Sequence, residues 1–350
     1  MLLAALRDLQ WRRRRFLIAA IGTALVFAMS LLLSGLSNAF ESETAAWIES
    51  TRADYFVVKD GQAGPLTGFA PVEISRTAEV AATPGVEQAS PFMYVHATTH
   101  EGDGFKDVNV FGAEDGGLGW PEVDEGALPS APGQALVNGG LGFDVGDTMQ
   151  IGQTEFEVVG IADDSTLNAG IDNVYISLPD AQALFLAGFP GTTIILVRGE
   201  PSGNLPAGLT AFDREQAQTD QLRPLSNARQ SIDVVRILLW IVAACIIGSI
   251  VYLTALERTR DFAVFKAVGA STSALGVGLA VQAVVLAVVS AILATVIGLL
   301  LAPVFPLPVD IPLRAMVLLP VVAVVVGLLA SLVGLRQAVK VPPAAAFGGP

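Results

Sequence analysis

Apolar residues along this chain gather into four long stretches, 16–36, 237–256, 275–301 and 315–335, none of which holds a charged residue. Each has about the 20 residues needed to cross roughly 30 Å of hydrocarbon. A backbone in lipid must satisfy its own hydrogen bonds, so the pattern predicts four membrane-spanning helices. Pro303, Pro306, Pro308 and Pro312 punctuate the link between the last two and predict a tight hairpin there.

Between the first and second stretches the pattern shortens. Segments 55–59, 92–98, 108–111, 135–137, 148–151, 154–161, 174–177 and 192–198 are apolar or alternating runs of strand length. Thr83-Pro84-Gly85 and Gly146-Asp147 are turn signals, and Gly152-Gln153 fits a two-residue hairpin turn. Residues 112–132, rich in Gly, Pro and acids, read as a loop. Pro179 and Asp180 suit the first turn of a helix over 178–186. Residues 213–236 have no glycine and only Pro224, which predicts a helical stalk running into the second span. The fold class that follows is an α-helical transmembrane bundle of four helices in a 1+3 arrangement. A mixed α+β extracytoplasmic domain is inserted between helices 1 and 2.

Composition agrees. The 350 residues are 52% hydrophobic and 15% charged, with a mean hydropathy of +0.58. The charge refines the topology. Ten basic residues (Arg7, Arg12 to Arg15, Arg258, Arg260, Lys266, Arg336 and Lys340) flank the spans on one side, against Asp8, Glu257 and Asp261. Residues 37–231 hold eight basic and 28 acidic residues. Asp233 with Arg236 and Asp310 with Arg314 cancel, so the net charge of −13 divides into +7 on one side and −20 on the other. Basic residues stay in the cytoplasm. The expectation is a multi-pass plasma (inner) membrane protein with both termini inside. Its segments are a cytoplasmic start (1–15), first span (16–36), extracytoplasmic domain with a stalk at its end (37–231), second span (237–256), cytoplasmic segment (257–274), third span (275–301), external hairpin (302–314), fourth span (315–335) and cytoplasmic tail (336–350). The first stretch is longer than the roughly 7–15 apolar residues of a signal peptide, so it is expected to be retained.

Several chemistries are excluded. A pI near 4.5 argues against nucleic acid as a partner. Cys245 is the single cysteine, so no intrachain disulfide forms. None of the four lysines, Lys59, Lys106, Lys266 and Lys340, follows the glycine pattern of a phosphate loop. Ser165, Ser177 and Ser226 lack a glycine elbow. His96 and His100, four apart near Glu101 and Asp103, would share a strand face, but read as solvated strand-end residues. Asp163-Asp164 lacks the spacing of a calcium loop. Met29 in the first span, with Glu41 and Glu43 beyond its end, could meet haem iron or an amphiphile; a packing methionine and interfacial acids are the plainer reading. Gln282 is the most polar side chain deep in a span and suits helix–helix contact.

The most informative segment is Glu257-Arg258-Thr259-Arg260-Asp261-Phe262-Ala263-Val264-Phe265-Lys266-Ala267-Val268-Gly269-Ala270-Ser271. Charges come first, then the apolar Phe262, Val264, Phe265 and Val268, then a Gly-Ala-Ser break before the third span. This pattern builds a short surface helix that turns back, and two phenylalanines make it a docking element rather than a plain loop.

These residues resemble the signature of the FtsX/MacB-type ABC transporter permease family, with Gln282 in the third span also fitting. Ala4 to Leu9 and Arg15-Phe16-Leu17 resemble the start of its four-span subgroup of DevC-like and HrtB-like permeases. Residues 138–161 resemble the family's extracytoplasmic core, and 341–348 its C-terminal pattern, except that Pro342 stands where aspartate is usual. The resemblance implies a non-catalytic permease subunit, a homodimer served by an ABC ATPase dimer that uses ATP and Mg, with no cofactor bound directly here. Glu257, Arg258, Arg260, Asp261, Phe262, Phe265, Lys266 and Gly269 would form the ATPase-coupling element. On that view Arg258, Arg260 and Lys266 contact the ATPase and Gly269 permits the turn. Work would pass by mechanical transmission to export or extract a hydrophobic or amphipathic molecule of the haem, glycolipid or peptide class, with Met29 and Glu41 as candidate contacts. The alternative is an FtsX-like regulator of an external cell-wall hydrolase, or a peptide-sensing signalling complex. Membrane lipid and an external protein or envelope component are the further partners.

Overall fold

A computed structural model describes residues 13–101, 104–163, 165–269, 271–305 and 307–340. Arg7, Asp8, Arg12, Asp103, Asp164, Ala270, Pro306 and the tail from 341, Pro342 included, lie outside the described residues. In chain order the helices are α1 (Arg13–Ser50), α2 (Arg76–Ala81), α3 (Leu178–Phe185), α4 (Arg214–Leu222), α5 (Ser226–Glu257), α6 (Thr259–Ala267), α7 (Thr272–Leu301) and α8 (Leu313–Lys340). The strands are β1 (Tyr55–Lys59), β2 (Val72–Glu73), β3 (Val86–Glu101), β4 (Gly104–Ala113), β5 (Glu125–Gly126), β6 (Gln134–Val137), β7 (Thr148–Ile151), β8 (Thr154–Ile161), β9 (Thr166–Leu167), β10 (Ile171–Ser177), β11 (Gly191–Thr192), β12 (Ile194–Gly199) and β13 (Leu209–Asp213). The chain divides into two units, Phe40–Ser226 and the residues on either side of it.

Among the described residues, the flanking unit contains four helices long and apolar enough to cross a membrane: α1, α5, α7 with its short extension, and α8. Their buried seam is dominated by alanine. Ala20, Ala24 and Ala28 of α1, Ala283, Ala287, Ala291 and Ala294 of α7, and Ala323 and Ala330 of α8 recur three, four or seven apart, so each helix turns one small-residue stripe inward. In lipid, apolar surface gains nothing by leaving the solvent, so helices associate through close van der Waals packing. Gly327 shows how close: a side-chain carbon there would stand 3.0 Å from the Ala283 carbonyl oxygen and 3.1 Å from Val284 Cα. The 302–314 link is tied to α1 by Asn38, which donates to Asp310 (2.8 Å) and accepts from Arg314 (3.0 Å). The opposite charges of Asp310 and Arg314 thus meet through a carboxamide.

The Phe40–Ser226 unit is an α/β lobe. Its main sheet runs β13-β1-β12-β3-β4-β10-β6-β8-β5, with β7 paired to β3 and β8, and β9 to β10. β4–β10 and β6–β8 are parallel and the remaining pairs antiparallel. Both faces are covered, which is why strands such as Ile194–Gly199 read as continuous apolar runs. Phe92, Phe111 and Tyr175 point to one face; Met93, Val110, Val174 and Ile176 point to the other, under Leu178 and Ala181 of α3. Ser177 caps α3 by accepting from the Asp180 amide (3.2 Å).

Two helices differ from the sequence pattern. α1 does not stop where its apolar run ends at Leu36 but continues unbroken to Ser50. Phe40, Thr44, Trp47 and Ile48 are buried at helical spacing, and Trp47 stacks on Phe111 (centroids 5.1 Å apart) in the lobe's core. The stalk expected over 213–236 is not one helix. α4 ends at Leu222 and α5 begins at Ser226, with Pro224 in the break, because proline lacks the amide a continuous helix needs there. The segment 192–198 also divides: Thr192 pairs with Val72 in a separate two-stranded ribbon and β12 enters the main sheet.

Candidate functional site

The charged segment after the second membrane helix folds as the separate helix α6. α5 ends at Glu257, which accepts from Arg15 Nη1 of α1 at 2.8 Å. Arg258 leaves the helical path (φ −102°, ψ 18°), and its guanidinium lies 5.9 Å from the centre of the Phe262 ring and 3.4 Å from the Asp261 carboxylate. Asp261 in the first turn and Lys266 in the last match the helix dipole. At the far end Gly269 adopts φ +97°, the left-handed conformation that ends a helix, and its amide bonds the Lys266 carbonyl (3.1 Å). Ser271 then caps α7 by accepting from the Ala274 amide (3.2 Å). Partly exposed ion pairs such as Arg15–Glu257 are worth about 0–1 kcal/mol, so they orient the segment more than they stabilise it.

The apolar residues of α6 do not share one face. Phe262 (4% exposed) and Ala263 are buried, and Phe265 packs partly against the alanine-rich seam of the membrane helices. Arg260, Asp261, Val264, Ala267 and Val268 are exposed, Val268 to 83%. Their spacing places them on one side of the helix. The single apolar face expected from Phe262, Val264, Phe265 and Val268 is therefore divided, the aromatics inward and the valines outward. Of the three basic residues in the segment, Arg260 is exposed while Arg258 and Lys266 are half-buried.

Met29 lies on the outward side of α1 with Ile21 and Leu25, not in the seam. In the lobe, Glu41 is half-buried, and its backbone carbonyl accepts from Gln218 of α4 (3.3 Å). Glu43, two residues on, is more deeply engaged. Its carboxylate accepts from the Thr166 hydroxyl and from the amides of Ala169 (2.9 Å) and Gly170 (2.8 Å). Sequence reading named Glu43 but had no signal for these partners, which lie more than 120 residues away. His96 stands 3.6 Å from Asp107, and His100 packs against Phe105 (4.5 Å). Gln282 is buried in the bundle.

Sequence reading also missed a polar cluster inside the lobe. Asn109, fully buried, donates to the carbonyls of Leu167 (3.1 Å) and Ile171 (3.2 Å) and to Asn173 (3.0 Å). Ser165 lies 3.2 Å from the Tyr175 hydroxyl. Burial pushes the Tyr175 hydroxyl up to about 12, against the opposing hydrogen bond with Ser165. Burial likewise raises Tyr94, against its hydrogen bond with Asn168.

Residues 16–212 match the MacB-like periplasmic core domain, and residues 234–343 match the FtsX-like permease C-terminal domain. This chain is a member of the FtsX/MacB-type family of ABC transporter permeases. An uncharacterized ABC transporter permease of Mycobacterium tuberculosis (strain ATCC 25618 / H37Rv) is 47% identical over 350 residues, with both chains fully covered. HrtB of Staphylococcus epidermidis, a permease assigned to a hemin transport system, is 20% identical over 356 residues, covering 99% of each chain. Two solved structures resemble part of the chain. The periplasmic region of MacB from Actinobacillus actinomycetemcomitans matches at a TM-score of 0.36 and 11% identity, covering 49% of this chain and 93% of that one. The extracellular domain of YknZ matches at 0.35 and 12%, covering 46% and 99%. Membership makes this permease a multi-pass plasma-membrane protein and the non-catalytic subunit of an ABC transporter, whose ATP is hydrolysed by a partner chain.

Proposed function

We propose that this permease exports, or draws from the outer leaflet, a hydrophobic or amphipathic molecule, with its ATPase partner docked on the outward side of α6. The observation that carries the docking surface is that side itself. Val264 and Val268 stand exposed beside Arg260 and Asp261 on a helix fixed at one end by the Arg258 break and at the other by Gly269. Phe262 and Phe265 root the same helix in the membrane bundle. ATP-driven closure of the partner would shift α6, and with it α5, so the work reaches the lobe by mechanical transmission rather than by passage of cargo through a central channel.

In this reading two copies of the chain form the membrane part, with one span before the lobe and three after it. Both termini and α6 are cytoplasmic and the acidic lobe lies outside, as the charge distribution supports. The likeness to HrtB, a permease assigned to a hemin transport system, favours haem within the substrate class. Met29, outward on α1, would meet such an amphiphile from the lipid side.

The test is ATP hydrolysis by the permease co-purified with its ATPase in lipid, with and without hemin. Arg260→Glu combined with Val268→Asp should leave membrane insertion intact and reduce ATPase recovery at least ten-fold. Undiminished recovery rejects the docking face. Hemin should raise hydrolysis by the unaltered complex; no response narrows the class to glycolipid or peptide.

A further inference from the structure

One turn of the lobe holds three successive residues in the left-handed region, with an alanine at its centre. Between β9 and β10, Asn168 (φ +62°), Ala169 (φ +69°) and Gly170 (φ +86°) are successively left-handed, and only the last is glycine. Glycine and asparagine tolerate this region, but alanine populates it sparsely, so at Ala169 the surroundings must impose it.

Three parts of the lobe do so. From α1, the Glu43 carboxylate fills the nest formed by the Ala169 and Gly170 amides and also accepts from the Thr166 hydroxyl. From α4, the buried Gln221 donates through Nε2 to the Asn168 side-chain oxygen. From the sheet, Asn168 donates to Tyr94 of β3 (2.6 Å) and to Asn109 of β4 (3.0 Å), while Asn109 grips the carbonyls of Leu167 and Ile171 at either end of the turn. α1 is the element by which the chain enters the lobe, and α4 is the last element before it leaves.

We propose that the turn Thr166–Gly170 is the junction at which movement of α1 and of α4 is handed to the sheet, with Glu43 and Gln221 as its positioning side chains. This rests on the mechanical reading above. The two helices approach the turn from separate parts of the sequence, and a strained turn gripped from both sides transmits displacement of either one to β4 and β10. Release of one grip lets the turn relax, and the displacement is lost there.

The experiment is amide hydrogen exchange on the full chain in lipid with its ATPase, with and without trapping by ATP and vanadate. In the unaltered protein, trapping should change exchange at least five-fold in residues 40–50 and 214–222, and also in β4 and β10. Glu43→Gln keeps the shape but leaves one acceptor oxygen for three donors. In this variant the helices should still respond, while the change in β4 and β10 falls below two-fold; β12 stays protected as a check on folding. Should Glu43→Gln fail to fold, Thr166→Val removes one donor, keeps both amide bonds, and should halve the strand response. Strands that respond undiminished in the folded variant overturn the junction and leave mechanical transmission standing. Helices that do not respond to trapping in the unaltered protein overturn mechanical transmission, and the junction with it.

Discussion

Ser290, buried in the membrane bundle, donates to the Leu286 carbonyl one turn back on its own helix (2.8 Å), and Thr254 does the same to Ile250 (2.8 Å). Asn109, equally buried in the lobe, reaches three residues of other segments, and Asp220 reaches across the chain to Leu66 and Thr67. Trp240 and Arg236 of α5 do reach Ser30 and Ser34 of α1, but along the alanine seam neighbouring helices meet through small side chains. The contrast follows from the surroundings. A helix in lipid already satisfies its backbone, so its neighbours need only fit. A lobe that folds from water must pair every turn and loop it buries, and does so with side chains. Loss of a polar group should therefore injure the lobe, and added bulk should injure the bundle.

The largest effect is expected at Asp220. Its carboxylate, 1% exposed, accepts from the amides of Leu66 (2.8 Å) and Thr67 (3.0 Å), from the Thr67 hydroxyl and from Arg223. Asp220→Ala strands the buried Leu66 amide and the partly buried Thr67 amide and hydroxyl at once, at about 3–5 kcal/mol given roughly 1–3 for each unsatisfied group. Chemical unfolding of the full chain in detergent, followed by near-ultraviolet circular dichroism, measures it. A loss below about 1 kcal/mol would break the contrast on the lobe's side.

Tyr175 gives a second, pH-dependent measure. Its hydroxyl is raised from the ordinary 10.0 to about 12, chiefly by burial. Unfolded chains release this proton first as pH rises, so the neutral tyrosine's contribution is complete below pH 10 and declines between 10 and 12. The decline amounts to at most about 3 kcal/mol. Tyr175→Phe should lower stability at pH 8 through the lost Ser165 contact and flatten the fall between pH 10 and 12. An equally steep fall in that variant would show that other groups cause it.

How much of this was legible beforehand divides along the same line. The four membrane helices were visible because lipid imposes a one-dimensional rule, an uncharged stretch of sufficient length. The α6 segment was visible as charge followed by apolar residues, though not the inward turn of Phe262 and Phe265 against the outward turn of Val264 and Val268, since four apolar positions in seven residues leave the face ambiguous. α1 beyond Leu36 was hidden because Glu41, Glu43 and Glu49 interrupt the apolar run while Phe40, Thr44, Trp47 and Ile48 keep the helical period. The grip of Glu43 on a turn some 125 residues later has no local signature, because its partners are backbone amides that any sequence supplies.

The smallest effects test the bundle, in opposed directions. Gly327→Leu puts a branched side chain where even one carbon would stand 3.0 Å from the Ala283 carbonyl oxygen. The backbones of α7 and α8 must separate, at about 1–3 kcal/mol by the usual cost of overpacking. Ser290→Ala removes a buried hydroxyl whose hydrogen bond goes to its own helix and leaves the seam's shape unchanged. Leu286's carbonyl keeps its helical amide partner, so no group is left unpaired and the change should stay within about 0.5 kcal/mol. Thermal unfolding of both variants in the same detergent separates the outcomes. If Ser290→Ala costs as much as Gly327→Leu, its hydroxyl holds helices together, and the bundle obeys the lobe's rule after all.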